Sequence, residues 1–214
     1  MLVVDIETVA IENVEVEPVS APANYKDEAK IAAYVSEKTT EQRLKAALYP
    51  WTARVIALGW CHQGNEAVEV RIANSEAGEA TMLREFWGLV NDGRTLVPLV
   101  GFNHRAFDLP VLMARSMLLG VPHPEVSVDR YRSPNPDLMQ ILTWNGAIPA
   151  RSLKWFATRF GLNVDDAFSG ALIAQLYEDQ NWDAIKAHVT SDVTLTRQLA
   201  ERVGVLKPVR RVAA

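Results

Sequence analysis

Residues 2 to 8 read Leu2-Val3-Val4-Asp5-Ile6-Glu7-Thr8, a β-branched run that ends in carboxylates. The run predicts a strand that emerges into acid side chains. Strand geometry has a period of two, so Asp5 and Glu7 point to the same face. Two carboxylates side by side repel unless something positive sits between them, and hard cations such as Mg²⁺ and Mn²⁺ prefer oxygen ligands of this kind. A strand end with two solvated acids is equally ordinary, so the pair by itself decides nothing.

Beyond this strand, Val9 to Asn24 reads as irregular, broken by Pro18 and Pro22. Lys26 to Leu48 predicts an exposed or capping helix, since Ile31, Tyr34, Val35, Leu44 and Leu48 keep helical spacing among charged residues. Residues 9 to 48 therefore form a helical insertion. Arg54 to His62 reads as a buried strand, Gly64 and Asn65 as a turn, and the alternating Ala67 to Ala73 as the second strand of a hairpin. Gly78 to Val90 predicts a helix ended by Asp92-Gly93, Thr95 to Gly101 a strand, and Phe107 to Leu119 a helix with Pro110 in its first turn. Val126 to Tyr131 reads as a short strand. Helices follow at Asp137 to Trp144, Ser152 to Phe160, Ser169 to Tyr177 and Asn181 to Val203, with Ser152 as a cap, Gly161 as a stop and a loose tail from Lys207 to Ala214. The order predicts one α/β domain over residues 1 to 206, with a mixed five-stranded sheet flanked by helices. Its first three strands are antiparallel neighbours, and the last two are reached by right-handed crossovers.

Two more carboxylates stand out. Asp108 follows a strand and opens a helix within Gly101-Phe102-Asn103-His104-Arg105-Ala106-Phe107-Asp108-Leu109-Pro110. An acid at a helix start is often only a cap favoured by the dipole. Asp192 falls on the apolar stripe Ile185, Val189, Leu199, Val203 of the last helix, four residues after His188, so the two side chains stack on one face. A charge on a core-facing stripe is expensive unless paired or metal-bound, and a structural His–Asp ion pair is the simpler alternative. Together, however, four acids lie on three elements that parallel neighbouring strands could bring to one sheet edge. Such a set would bind two divalent cations, the apparatus of two-metal phosphodiester hydrolysis.

With these residues the sequence resembles the DEDD exonuclease superfamily, the DnaQ-like branch of the ribonuclease H-like fold. Asp5-Ile6-Glu7-Thr8 matches its first motif, Asn103 with Phe107-Asp108-Leu109-Pro110 its second, and His188 with Asp192 its third. The resemblance covers roughly residues 1 to 204. It is closest to stand-alone predicted exonucleases similar to the proofreading domain of family B DNA polymerases, whose look the segment Asp137 to Leu153 shares. One feature departs from the pattern. One branch carries tyrosine four residues before the last aspartate, the other histidine five residues before it. Here His188 has the identity of the second branch and the position of the first, while Ala187 occupies the five-residue position. The two spacings differ by ~100° around a helix.

The resemblance implies a two-metal-dependent 3′→5′ exonuclease that releases nucleoside 5′-monophosphates from single-stranded nucleic acid, DNA before RNA. It implies that Asp5, Glu7, Asp108 and Asp192 hold two Mg²⁺ or Mn²⁺ ions, Asp5 bridging both. His188 would orient or deprotonate the attacking water, its ordinary pKa of ~6.5 suiting a base near neutral pH. Thr8, through its backbone, and Asn103, through its side chain, would touch the terminal nucleotide. The alternatives are an RNA-processing exonuclease of the same fold, since the DNA–RNA choice rests on 2′-hydroxyl contacts, and a non-catalytic nucleic-acid-binding scaffold, which an intact set of four acids disfavours.

The remaining composition bounds these readings. The net charge of −4 excludes a grip on nucleic acid by bulk positive charge. Arg130, Arg132, Arg151, Lys154 and Arg159 offer a path for one strand's phosphates, although scattered surface charge has the same appearance. Trp144 and Trp155 suit either base stacking or core packing. His62, His104 and His123 lack paired ligand spacing and read as surface or loop histidines, and Cys61 as a small apolar core residue. A single cysteine excludes an internal disulfide. No apolar run approaches ~18 residues and no signal-peptide pattern opens the chain, so a cytoplasmic protein without a membrane partner is expected.

Overall fold

Strand β1, Leu2–Ala10, runs between two cores because both its faces are apolar. Leu2, Val4 and Ile6 belong to one core, and Val3 and Val9 to the other. Asp5 and Glu7 take the places between Val3 and Val9, so the second face carries a polar gap in an otherwise buried stripe. The computed structural model describes residues 1–15, 17–91, 93–165 and 170–208.

Strand β2, Ala53–His62, pairs antiparallel with β1, and β3, Glu69–Ile72, pairs antiparallel with β2. The two-residue β4, Leu99–Val100, lies parallel to the start of β1. Among the described residues the sheet thus has four strands in the order β3-β2-β1-β4. Between them lie helix α1 at Glu28–Ala46 and α2 at Glu76–Val90, and after β4 come α3 at Asp108–Leu118, α4 at Leu138–Leu142, α5 at Leu153–Arg159, α6 at Ile173–Glu178 and α7 at Trp182–Arg202. Helices α2 and α3 cover the Leu2/Val4/Ile6 face. Helix α7 crosses β1, β2 and β3 on the other. The mixed α/β architecture expected from the sequence is the one observed.

Most helices start where short polar side chains cap them. Asp27 accepts the amides of Ala29 and Lys30, Ser75 that of Gly78, Ser152 that of Trp155 and Asn181 that of Ala184. The Ser75 cap begins α2 earlier than the expected Gly78. No residue of α1 is buried, as its scattered apolar positions imply.

The edge of the sheet differs from expectation. The strand expected over Thr95 to Gly101 shrinks to Leu99–Val100, since Pro98 has no amide to donate and Leu96 bridges to Asn91 instead. The fifth strand, expected at Val126 to Tyr131, is not formed. That segment turns its hydrogen bonds inward: the Ser127 carbonyl accepts from Ser133 Oγ at 2.7 Å and from Asn135 Nδ2 at 3.0 Å, and the Asp129 carboxylate caps the amides of Tyr131 and Arg132. Asn135 covers the β4 edge in its place, accepting the Leu99 amide at 2.9 Å, followed by a single bridge between Gly101 and Asp137. Of the expected helix over Ser169 to Tyr177, Ser169 lies outside the described residues, as do Asp92 of the Asp92-Gly93 stop and residues 209–214 of the tail.

Candidate active site

The polar gap on β1 is closed from above by α7, and a glycine sets how near it comes. Gly59 lies opposite Asp5 in the antiparallel register. A Cβ at Gly59 would overlap Cγ1 of Val189 and come within 3.0 Å of Cγ2 of Val193. Helix α7 therefore rests on bare backbone, which brings its polar face onto the acids of β1. His188 Nε2 stands 3.1 Å from Glu7 Oε1 and 3.9 Å from Asp192 Oδ2. The i,i+4 relation expected for His188 and Asp192 is present. Glu7, His188 and Asp192 offer ligand atoms that all lie within 4.8 Å of one another. A bulge in β2, where the register steps between Glu7 and Thr8, sits beside this group and turns both Ile56 and Ala57 toward the α7 core.

Asp108 reaches the same place from the other side of β1. The amide of Leu2 donates to the Pro98 carbonyl, so amides of even-numbered residues on β1 face the β4 side. Since β4 pairs only with Leu2 and Val3, the edge beyond them is open. There the Ile6 amide donates to the Asp108 carboxylate. Asp108 is thus more than a helix cap: it is buried against the exposed edge of β1, next to Asp5 and Glu7.

The electrostatics record this convergence. Burial and then the charges of Asp108, Glu7 and Asp192 push the Asp5 carboxyl well above the usual range. Burial first, with Asp137 and Glu7 adding, raises Asp108 to about 8. Carboxylates gathered this closely are a donor set that a hard divalent cation fits, because it relieves their repulsion through oxygen ligands.

The comparisons bear on this arrangement. A family of predicted 3′-5′ exonucleases related to the exonuclease domain of PolB matches the chain over residues 48–207. The chain belongs to that family. In this PolB-like exonuclease family member the matched stretch holds Asp108, His188 and Asp192, whereas β1 precedes it. Among solved structures the chain resembles that of the family B DNA polymerase from the hyperthermophilic archaeon Pyrobaculum calidifontis, with a TM-score of 0.63 and 22% identity. The alignment covers 94% of this chain and only 24% of the polymerase chain. That likeness shows a PolB exonuclease, ribonuclease H-like fold. No curated protein matches the chain.

Other residues singled out in the exonuclease-like sequence find varied places. Thr8 is buried and donates its hydroxyl to the Ala47 carbonyl at 2.7 Å, tying the insertion to β1 beside Glu7. Asn103 has a left-handed backbone, φ 63°, and its amide donates to Asp137 Oδ1 at 3.0 Å. Arg130, Arg132, Arg151 and Arg159 are exposed and Lys154 half-buried. Trp144 and Trp155 are 70% and 42% exposed, so neither is a core residue. Cys61 is buried, as expected. His104 is a correction: it is fully buried rather than a surface histidine, because Gly101 leaves room for its ring, and burial lowers its pKa to about 4. Among the described residues no helix is long and apolar enough to cross a membrane.

Two positions escaped the sequence reading. Gly59 sits in an unbroken apolar strand, where nothing distinguishes a helix contact from a loose packing site. Asp137 read only as a helix start. It is buried and accepts the amides of Asn103, Arg105, Met139 and Gln140 at 3.0 to 3.3 Å, fastening the loop that leads to Asp108. The signal was an aspartate at a cap position followed by an apolar turn.

Proposed function

We infer that the chain is a metal-dependent 3′→5′ exonuclease acting on the 3′ end of single-stranded nucleic acid, DNA before RNA, and releasing nucleoside 5′-monophosphates. The observation that carries this reading is the convergence of acids from separate elements: ligand atoms of Glu7, His188 and Asp192 lie within 4.8 Å of one another, and the Ile6 amide holds Asp108 on the strand that bears Asp5 and Glu7. Asp5, Glu7, Asp108 and Asp192 would hold two divalent cations, Mg²⁺ or Mn²⁺. When bound, these supply water activation and stabilisation of the leaving oxygen.

The chain's own residues do the rest. The Ile6 amide fixes Asp108 against β1. His188, with Nε2 on Glu7 Oε1, holds the Glu7 carboxylate in place, and this contact favours a positioning role over proton abstraction. Gly59 sets the height of α7 and with it the reach of Asp192. Thr8, through its backbone, and Asn103, through its side chain, would meet the terminal nucleotide. The preference for DNA follows the family's relation to a DNA polymerase domain.

The test is incubation with 5′-labelled single-stranded DNA, duplex DNA and RNA in Mg²⁺ or Mn²⁺, for the wild type and for Asp5→Asn and Asp108→Asn. A ladder shrinking from the 3′ end, abolished in both folded variants, is the expected result. Undiminished hydrolysis in either folded variant overturns the reading.

A further inference from the structure

Helices α3, α5 and α7 each end with a glycine in the left-handed conformation: Gly120, Gly161 and Gly204, with φ of 62°, 69° and 76°. Each is followed by an amide that reaches back five residues, as Val121 does to Ser116, Leu162 to Ala157 and Val205 to Ala200. This is the Schellman stop, in which glycine avoids the Cβ clash. Helix α4 ends in the same motif, with Asn145 N donating to the Gln140 carbonyl at 2.6 Å and Trp144 N to the Ile141 carbonyl at 3.2 Å. In the glycine position, however, stands Trp144, φ 49°, followed by Asn145 at 57° and Gly146 at 84°. Among the described residues, Gln180, after α6, is the other non-glycine in such a stop. Among the described residues, only at Trp144 does the strained position carry a large aromatic, and its ring is 70% exposed. Strain that holds an apolar side chain in water serves neither the turn nor the core.

The neighbouring turn completes the surface. Tyr131 is 76% exposed. Arg130 and Arg132 are exposed beside it, and the guanidinium of Arg130 lies 5.9 Å from the Tyr131 ring centre. The nearby acid, Asp129, is committed to the turn through the Tyr131 and Arg132 amides. The two turns meet where the Arg130 side chain lies against Gly146, whose added Cβ would come within 2.6 Å of Arg130 Nη2, and the Tyr131 turn is anchored by Arg105 Nη1, which donates to the carbonyls of Asp129 and Arg130. A cleft of about 250 Å³ lined by Arg105, Ala106, Val128, Arg130, Asp137 and Gln140 lies beside them. Asp137 is near enough to Asp108 to raise its pKa, and Trp144 follows Asp137 by seven residues, ~10 Å of helical rise.

We propose that Trp144, Tyr131, Arg130 and Arg132 form a stacking platform for the nucleotides upstream of the scissile end of a single strand. Exposed rings take the faces of unpaired bases whatever their identity, and the arginines face the backbone phosphates in a chain that is acidic overall. Duplex stacking buries those base faces, so the platform selects unpaired strands. This assignment rests on the reading of the chain as a single-strand exonuclease.

The test compares wild type, Trp144→Ala, Tyr131→Ala, the double variant, Trp144→Phe and Trp144→Gly. Binding of a fluorescein-labelled single-stranded 20-mer is followed by anisotropy in Ca²⁺. Hydrolysis of that 20-mer is set against hydrolysis of the p-nitrophenyl ester of thymidine 5′-monophosphate, which has no upstream nucleotide. Loss of one aromatic–base stack weakens binding about fivefold or more. Trp144→Ala should therefore raise Kd by that factor and lower the 20-mer-to-ester ratio of kcat/KM similarly, with Trp144→Phe close to wild type. Trp144→Gly should bind as poorly as Trp144→Ala yet melt at a higher temperature, because it restores the residue the turn prefers. Equal 20-mer affinity in wild type and the double variant overturns the platform, as does a wild type that does not bind the strand. A wild type that binds the 20-mer but hydrolyses neither substrate overturns the enzymatic reading, while the binding series still decides the platform.

Discussion

Gly59 on β2 and Val189 on α7 meet where a side-chain carbon on the first would occupy the space of the second. The contact fixes the separation between the helix that bears His188 and Asp192 and the strand that bears Asp5 and Glu7. Gly59→Ala should therefore lift α7, at about 1–3 kcal/mol of overpacking, and lower nuclease activity by more than the stability loss accounts for. Adding Val189→Ala makes room for the new methyl and should recover activity. Denaturant midpoints and kcat/KM for the two single variants and the double variant check this. An additive double variant refutes the coupling.

The sequence made the acids legible because strand and helix periods are rigid. A period of two puts Asp5 and Glu7 on one face, and the i,i+4 step puts His188 over Asp192. It also made the strand order of β1 to β3 legible, since Arg54 to His62 and Ala67 to Ala73 carry hairpin signals. The β4 edge was not legible. Val126 to Tyr131 has the composition of a strand, yet its polar groups close local turns and Asn135 satisfies the Leu99 amide. Side-chain capture of backbone groups leaves no periodicity. The burial of His104 was hidden likewise, because it depends on the missing Cβ of Gly101 across the turn.

The raised carboxyls make metal-free stability fall with pH. Asp108 ordinarily titrates near 3.8, and in the fold near about 8. Between these values the folded chain holds a proton that the unfolded chain releases, so the contribution is complete below the lower value and is lost as pH rises through the upper one. Asp5 acts in the same direction. In EDTA, Asp108→Asn should gain Tm relative to wild type on going from about pH 5 to pH 8. Mn²⁺ should raise the wild-type Tm more at the higher pH, since binding then displaces fewer protons. Thermal melts at the two pH values suffice, and a Mn²⁺ shift independent of pH contradicts the acid cluster as the binding site.

Asp137 holds four amides across two segments. Asp137→Ala strands buried donors and removes the α4 cap, a loss of about 2–4 kcal/mol. Unfolding in urea measures it. Asp137→Asn keeps an acceptor oxygen and should recover part of the loss. It also removes a charge that raises Asp108, so the pH dependence of Tm in EDTA should flatten.

The 3.1 Å contact between His188 Nε2 and Glu7 Oε1 makes a distinct prediction about the pH–rate profile. A nitrogen that donates to a carboxylate has no lone pair for a water proton, so the role predicted for His188 is to fix Glu7. His188→Gln, which retains a donor, should then keep more activity than His188→Ala. Both variants should preserve the acidic limb of kcat/KM, and the loss in His188→Ala should shrink as Mn²⁺ is raised, because a loosened ligand weakens the metal more than the chemistry. Were His188 the base, its removal would abolish that limb, and no concentration of Mn²⁺ would restore the rate.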